Sequence, residues 1–288
     1  MKRLQMFIWP LLFIIFLIAS AILFKDQRIA ADTSTHPASE QSQTINSNSS
    51  VSDSQSQDAN NNSDSANSSI IRDSKYMIPI LMYHHIRDYS DPSDKIGTNL
   101  SVSPNDFAKE LDLIKEKGYT TITFENIKSG NVPEKSIILT FDDGYENFYQ
   151  NAYPELQKRG MKAVSYIIVN NIGKDTYMTR DQIIEIENGG VEIGSHTLSH
   201  PNLVSSPDTK VTSEVKDSKK YLEDIIGKNI ISFCYPSGKF SRTTEALINS
   251  SGYEFAVTTK RGIATFNDLF ALNRFRVNNG TSINSLIN

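Results

Sequence analysis

What this chain of 288 residues has little of narrows its possibilities first. It carries one cysteine, Cys234, so no disulfide can form within it and any folded part must be held by its core. Its one tryptophan, Trp9, falls in an apolar N-terminal run, which leaves the rest of the chain without an indole for stacking on a sugar. Between Lys25 and Lys75 there is no Phe, Tyr or Trp at all. Dominated by Ser, Asn, Asp and Gln, that stretch cannot bury enough apolar surface to offset chain ordering, and it reads as a disordered tether. A basic excess is missing too. The chain has 29 Lys and Arg against 33 Asp and Glu; six of the former and seven of the latter precede Tyr76, so the remainder carries a net charge of about −3. It lacks the basic footprint that binding to nucleic acid requires. No internal repeat of fixed period is visible.

Three segments follow from composition: 1–28, 29–75 and 76–288. Met6 to Phe24 is almost unbroken hydrocarbon behind the basic Met1-Lys2-Arg3, long enough at about 1.5 Å per residue to cross a hydrocarbon layer of roughly 30 Å. The expectation is an uncleaved single-pass anchor with everything after residue 28 outside the cell. The alternative is a long signal peptide cut at Ala19-Ser20-Ala21 or Ile29-Ala30-Ala31, which would release a secreted or surface protein. As a random coil the tether would reach on the order of 40 Å. The piece from Tyr76 is the right size for one domain, expected to act as a monomer.

In that piece, short apolar runs alternate with amphipathic ones. Strands are expected at Ile78 to Ile86, Thr120 to Phe124, Ser136 to Asp142, Lys162 to Val169, Val191 to Gly194, Ile230 to Tyr235, Phe255 to Thr258 and Asn273 to Val277. Helices are expected from the Ser103-Pro104 cap to Gly118, over Tyr145 to Arg159, over Thr179 to Asn188, from Ser206-Pro207 to Gly227, and over Thr243 to Ser250. Strand–helix alternation argues for parallel units, and their number favours a (β/α) barrel over an open sheet.

The polar residues then fall on strand ends. Thr140-Phe141-Asp142-Asp143-Gly144 places two carboxylates where a buried strand stops, a costly arrangement unless a cation or proton is shared, although Asp-Asp-Gly alone also suits a plain turn. Ser195-His196-Thr197-Leu198-Ser199-His200 adds two histidines, and one Asp with two His suffices for an open catalytic metal site. His84 and His85 close the first strand, as active groups or as a surface pair. Cys234 reads as a small core residue; Tyr145, Tyr149 and Phe240 either line a sugar cleft or pack.

These motifs, with Tyr235-Pro236-Ser237-Gly238, resemble in order and spacing the three signatures of the NodB-homology polysaccharide deacetylases, carbohydrate esterase family 4. The resemblance covers nearly all of Tyr76 to Asn288 and implies a distorted (β/α) barrel. It also implies that Asp143, His196 and His200 hold one divalent ion, zinc first, with nickel, cobalt or iron as alternatives. By the same likeness Asp142 is the general base. In the chemistry that follows, the backbone N–H of Ser237, after the rigid Pro236, is the expected second donor to the oxyanion. Where peptidoglycan-type members carry an arginine, this chain has Cys234, and no histidine follows His200. Tyr83-His84 and Arg274 instead match the branch acting on poly-β-1,6-N-acetylglucosamine, so His84 is the expected acid and Arg274 the residue orienting Asp142. The implied partner is an N-acetylglucosamine polymer. Peptidoglycan N-deacetylation, acetylxylan-type O-deacetylation and a non-catalytic carbohydrate-binding domain are the competing expectations.

Overall fold

The computed structural model describes residues 77–287. Segments 1–28 and 29–75 lie outside them, and no helix among the described residues is long and apolar enough to cross a membrane.

Seven strands form the centre: β1 (Ile80–Tyr83), β2 (Ser136–Phe141), β3 (Ala163–Ile167), β4 (Val191–Ser195), β5 (Ser232–Cys234), β6 (Phe255–Arg261) and β7 (Leu272–Arg276). Each pairs in parallel with the next in sequence. The ring then closes, because β7 also pairs with β1 through Phe275 with Leu81 and Arg276 with Met82. A closed parallel sheet has both faces covered, which is why these strands read as nearly continuous apolar runs. Alternation sorts their side chains. Ile80, Ile138, Val164, Tyr166, Cys234, Val257 and Leu272 cluster inside the barrel. Leu81, Leu139, Ala163, Ile193 and Phe233 face outward into a second cluster shared with the surrounding helices.

The helices are α1 (Pro104–Glu116), α2 (Tyr153–Arg159), α3 (Arg180–Asn188), α4 (Asp208–Ile226) and α5 (Arg242–Ser250). Local chemistry sets their ends. The Ser103 hydroxyl accepts the Asp106 N–H at 3.0 Å ahead of Pro104, and Thr179 and Gln182 cap one another. Gly160 and Gly227 stop α2 and α4 in the left-handed conformation.

The expected pattern of elements needs three corrections. The run Ile78 to Ile86 breaks at Pro79, which cannot donate to a ladder, and again at His84, leaving three short pieces. Thr120 to Phe124 is not a barrel strand: only Thr120–Thr121 pairs, with the start of β2, and Phe124 already opens a short helix capped by Thr123. The helix expected over Tyr145 to Arg159 begins as a wider π-turn at Phe148–Ala152 and becomes α-helical only at Tyr153, next to Pro154, which has no N–H to donate.

Candidate active site

The carboxyl ends of the parallel strands carry the polar residues, the face where barrel folds build their sites. His84 follows β1, Asp142 and Asp143 follow β2, His196 follows β4, and Arg274 projects from β7 into the barrel. Strain collects there as well. Of the five non-glycine residues with positive φ among the described residues, four are Asp143 (78°), Thr197 (69°), His200 (56°) and Ser237 (54°). Such conformations persist only where surrounding contacts enforce them.

Arg274 is fully buried and grips Asp142 with two parallel hydrogen bonds: Nη1 donates to Oδ1 and Nη2 to Oδ2, each at 2.7 Å. The guanidinium is itself fixed. Its Nε donates to the Thr258 carbonyl at 2.8 Å, Nη1 also to the Thr140 hydroxyl at 2.9 Å, and Nη2 reaches Cys234 Sγ at 3.2 Å. Burial alone would raise the Asp142 carboxyl, but the Arg274 charge and hydrogen bonds outweigh it and hold Asp142 far below the usual carboxylate range. On the other side of Asp142, His84 Nε2 lies 3.9 Å from Oδ2. Burial lowers the His84 pKa against the opposing pull of Asp142 and Asp143.

Asp143, His196 and His200 converge so that one ligand atom from each lies within 4.8 Å of the others. His196 Nε2 is 3.4 Å and His200 Nε2 is 3.9 Å from Asp143 Oδ1. These spacings are long for hydrogen bonds and suit donors sharing a tetrahedral ion about 2.1 Å from each. His196 Nδ1 donates to the Cys234 carbonyl at 2.7 Å, which leaves Nε2 as the lone pair facing Asp143. A second grouping, Asp142 with His196 and Cys234, is also close enough to ligate. The Arg274 guanidinium already occupies both Asp142 oxygens, and a second cation there would meet like charge. The residues present therefore fit a metal at Asp143, His196 and His200.

Supports for this centre come from residues that the sequence reading passed over. Glu214, buried on α4, accepts the Ser199 N–H at 2.8 Å and also the Ser199 hydroxyl, pinning the turn between the two histidines. Its signal was a carboxylate on the apolar stripe of Val211, Val215, Leu222 and Ile225. Asn147 accepts the Ile86 N–H at 2.9 Å, so its amide nitrogen donates to His85 Nδ1 at 2.9 Å and the His85 proton rests on Nε2. Burial, reinforced by Arg87, pushes His85 down to about 4, so it is a neutral ring, stacked 3.7 Å centroid to centroid on Tyr145.

Ser237 sits exposed in the turn Pro236–Gly238 at the end of β5, its carbonyl accepting the Thr259 hydroxyl at 3.3 Å. Cys234 is a core residue, yet its sulfur touches the Asp142–Arg274 pair. Tyr149 packs toward Tyr153 and donates to Glu185 away from the centre, whereas Tyr145 lies between His85 and Tyr177, and Phe240 stacks on Tyr235.

Comparison with known proteins gives a consistent picture. Residues 129–256 match the family model described as polysaccharide deacetylase. YxkH of Bacillus subtilis, named for the same family, is 32% identical over 225 residues, covering 76% of this chain and 78% of its own. The poly-β-1,6-N-acetyl-D-glucosamine N-deacetylase of Staphylococcus aureus is 27% identical over 218 residues, covering 66% of this chain and 75% of its own. Among solved structures, the Streptococcus pyogenes deacetylase PplD, in complex with acetate, superposes with a TM-score of 0.70 at 34% identity, over 75% of this chain and 100% of that one.

Proposed function

From the premise that this chain belongs to the polysaccharide deacetylase family, we propose that it is a metal-dependent hydrolase removing N-acetyl groups from an extracellular N-acetylglucosamine polymer, poly-β-1,6-N-acetylglucosamine first. One observation carries this reading: a carboxylate clamped by a buried arginine lies beside an Asp-His-His cluster and within 3.9 Å of a third histidine. The S. aureus relative supports the choice of polymer, and the acetate held by the S. pyogenes relative is the product expected here.

An amide is a poor electrophile with a poor leaving group. When bound by Asp143, His196 and His200, a divalent ion would polarise the acetyl carbonyl and acidify the attacking water. Asp142 takes the proton that this water loses. Arg274 keeps Asp142 ionised and aims it, at the cost of making it a weak base. A proton on so weak a base is readily passed on, and His84, 3.9 Å away, is the group to receive it and deliver it to the departing amine nitrogen. The Ser237 N–H, in the turn after Pro236, is the donor assigned to the developing oxyanion; such a donor typically contributes about 3 kcal/mol. The products are acetate and a glucosamine residue.

The test is acetate release from β-1,6-linked N-acetylglucosamine oligomers, from peptidoglycan and from acetylated xylan, with and without a chelator. Release from the oligomers that stops on chelation and in Asp142→Asn supports the proposal. Release from wall glycan or xylan alone overturns the choice of polymer, and release from none overturns catalysis.

A further inference from the structure

The turn that carries Asp143 has a backbone conformation that most residues avoid. Asp143 at φ 78° and Gly144 at φ 79° are both left-handed, and Gly144 passes so close to β3 that a Cβ on it would meet Ile167 Cδ1 at 3.2 Å. Glycine suits its place, but an aspartate stays in that region only where its surroundings hold it. Backbone contacts supply part of the restraint. The Met178 N–H donates to the Gly144 carbonyl at 3.0 Å and the Glu146 N–H to the Thr176 carbonyl at 2.8 Å, which lays Tyr145 antiparallel to Tyr177. These bonds hold the chain after Asp143, but none of them fixes the Tyr145 ring or the carboxylate beside it.

Side chains do that. The Tyr145 ring stacks on two others: His85, at 3.7 Å between centroids and 27° from parallel, and Tyr177, at 5.0 Å and 29°. Its hydroxyl hydrogen-bonds with Asp143 and Tyr177, so the ring is a lever on the metal ligand. His85 is the fixed member of the stack. Asn147 donates to its Nδ1 at 2.9 Å while accepting the Ile86 N–H at 2.9 Å, and the Asn151 amide reaches the Ile86 carbonyl at 2.8 Å. The His85 N–H itself donates to the Leu100 carbonyl at 3.0 Å. Buried, and tied through both ring and backbone, His85 gives Tyr145 a surface that cannot shift. Its neutrality also suits the place, because a charged ring there would repel an ion held by Asp143.

We propose that His85 is a positioning residue for the metal centre: its ring, stacked on Tyr145, holds the Tyr145 hydroxyl against Asp143 and so fixes the direction in which the Asp143 carboxylate meets His196 and His200. This role rests on the reading of those three residues as metal ligands, and it belongs to a side chain that touches neither the ion nor the substrate. Position 85 then needs a flat ring, not a nitrogen that gives or takes protons. His85 differs in this from His84, its neighbour in sequence, whose Nε2 lies 3.9 Å from Asp142 and has a proton to carry.

The experiment measures the zinc affinity of the full chain, stripped and reloaded, by competition with a chromophoric chelator. It also records the visible absorption of the cobalt(II)-loaded protein, which follows ligand geometry. His85→Ala is expected to weaken zinc binding about tenfold, the lower end of the loss when a ligand's outer support is removed, and to alter the cobalt spectrum. His85→Phe, which keeps the stack and discards both nitrogens, is expected to stay within about twofold of wild type, with the wild-type cobalt spectrum. Tyr177→Leu removes the other, half-buried ring and is expected to weaken zinc binding about threefold, the scale of one aromatic pair. It decides the matter if circular dichroism shows His85→Ala to be unfolded. Three results overturn the positioning role alone: a folded His85→Ala with wild-type affinity and spectrum, a His85→Phe as weak as His85→Ala, or, where His85→Ala does not fold, a Tyr177→Leu with wild-type affinity. His200→Ala tests the ground beneath it. A wild type that binds no zinc, or a His200→Ala that binds it as tightly as wild type, overturns the metal site and the role of His85 with it.

Discussion

Arg274 and Asp142 meet inside the barrel through two 2.7 Å hydrogen bonds, and neither could be buried there without the other. A lone ion in that interior would cost several kcal/mol, while the paired geometry satisfies both groups. Arg274→Gln is therefore expected to destabilise the fold by about 3–5 kcal/mol and to abolish acetate release. Arg274→Lys, which retains charge but not the fork, should recover stability in part and activity hardly at all. Denaturant unfolding combined with oligomer turnover reads both effects.

Glu214 acts through Ser199 on the strained turn that carries His200. Glu214→Ala is expected to weaken metal binding about 10- to 100-fold, the range found when a ligand loses its outer support, while far-ultraviolet circular dichroism stays native. Competition with a chromophoric chelator measures it. An unchanged metal affinity would mean that the turn holds itself.

Gly194 of β4 has no room for a side chain. A Cβ there would lie 2.4 Å from Tyr166 Cε1 and 2.5 Å from its Cδ1, inside the barrel. Gly194→Ala is expected to destabilise by about 1–3 kcal/mol or more through overpacking. The simultaneous change Tyr166→Leu should return part of that loss, which a double-mutant cycle in urea would detect.

Two acids give the fold a pH dependence apart from catalysis. Burial pushes Glu192 up to about 7, with the Glu125 N–H and the Ser232 hydroxyl as partial compensation. Glu110 is likewise pushed up to about 7 by burial, against the hydrogen bond it accepts from Tyr83. The native state thus holds protons that the unfolded chain releases near 4.5. Stability from these groups is complete below about 4.5 and declines as pH rises to about 7. Glu192→Gln should flatten that decline and melt higher than wild type above pH 7, as thermal scans across the interval would show.

How far all this was written in the sequence depends on the range of the interactions. Asp142, Asp143, His196 and His200 were legible because each follows a short apolar run, and in a parallel barrel such run-ends share one face. His84 and Arg274 were legible only by likeness, since nothing local ties a histidine after β1 to an arginine on β7. The hold of Thr258 on Arg274 was invisible because it works through a carbonyl, and any residue has one. Glu214 left a trace as an acid on an apolar stripe, but its target is a backbone N–H fifteen residues earlier. The strand expected over Thr120 to Phe124 survives only at Thr120–Thr121; the rest had the right residue types, and tertiary context overrode them when Thr123 and Asn126 capped a helix instead.

The seam between β7 and β1 has a bearing on biogenesis. The guanidinium that neutralises Asp142 sits on β7, the last barrel strand to be made, while β1, against which β7 docks, is the first. Until that late piece arrives the interior holds an uncompensated carboxylate and the cylinder stands open along one side. Such distant pairing is slow to form. Chains cut short ahead of Leu272 are thus born incomplete, and the barrel closes only when its first and last strands have paired.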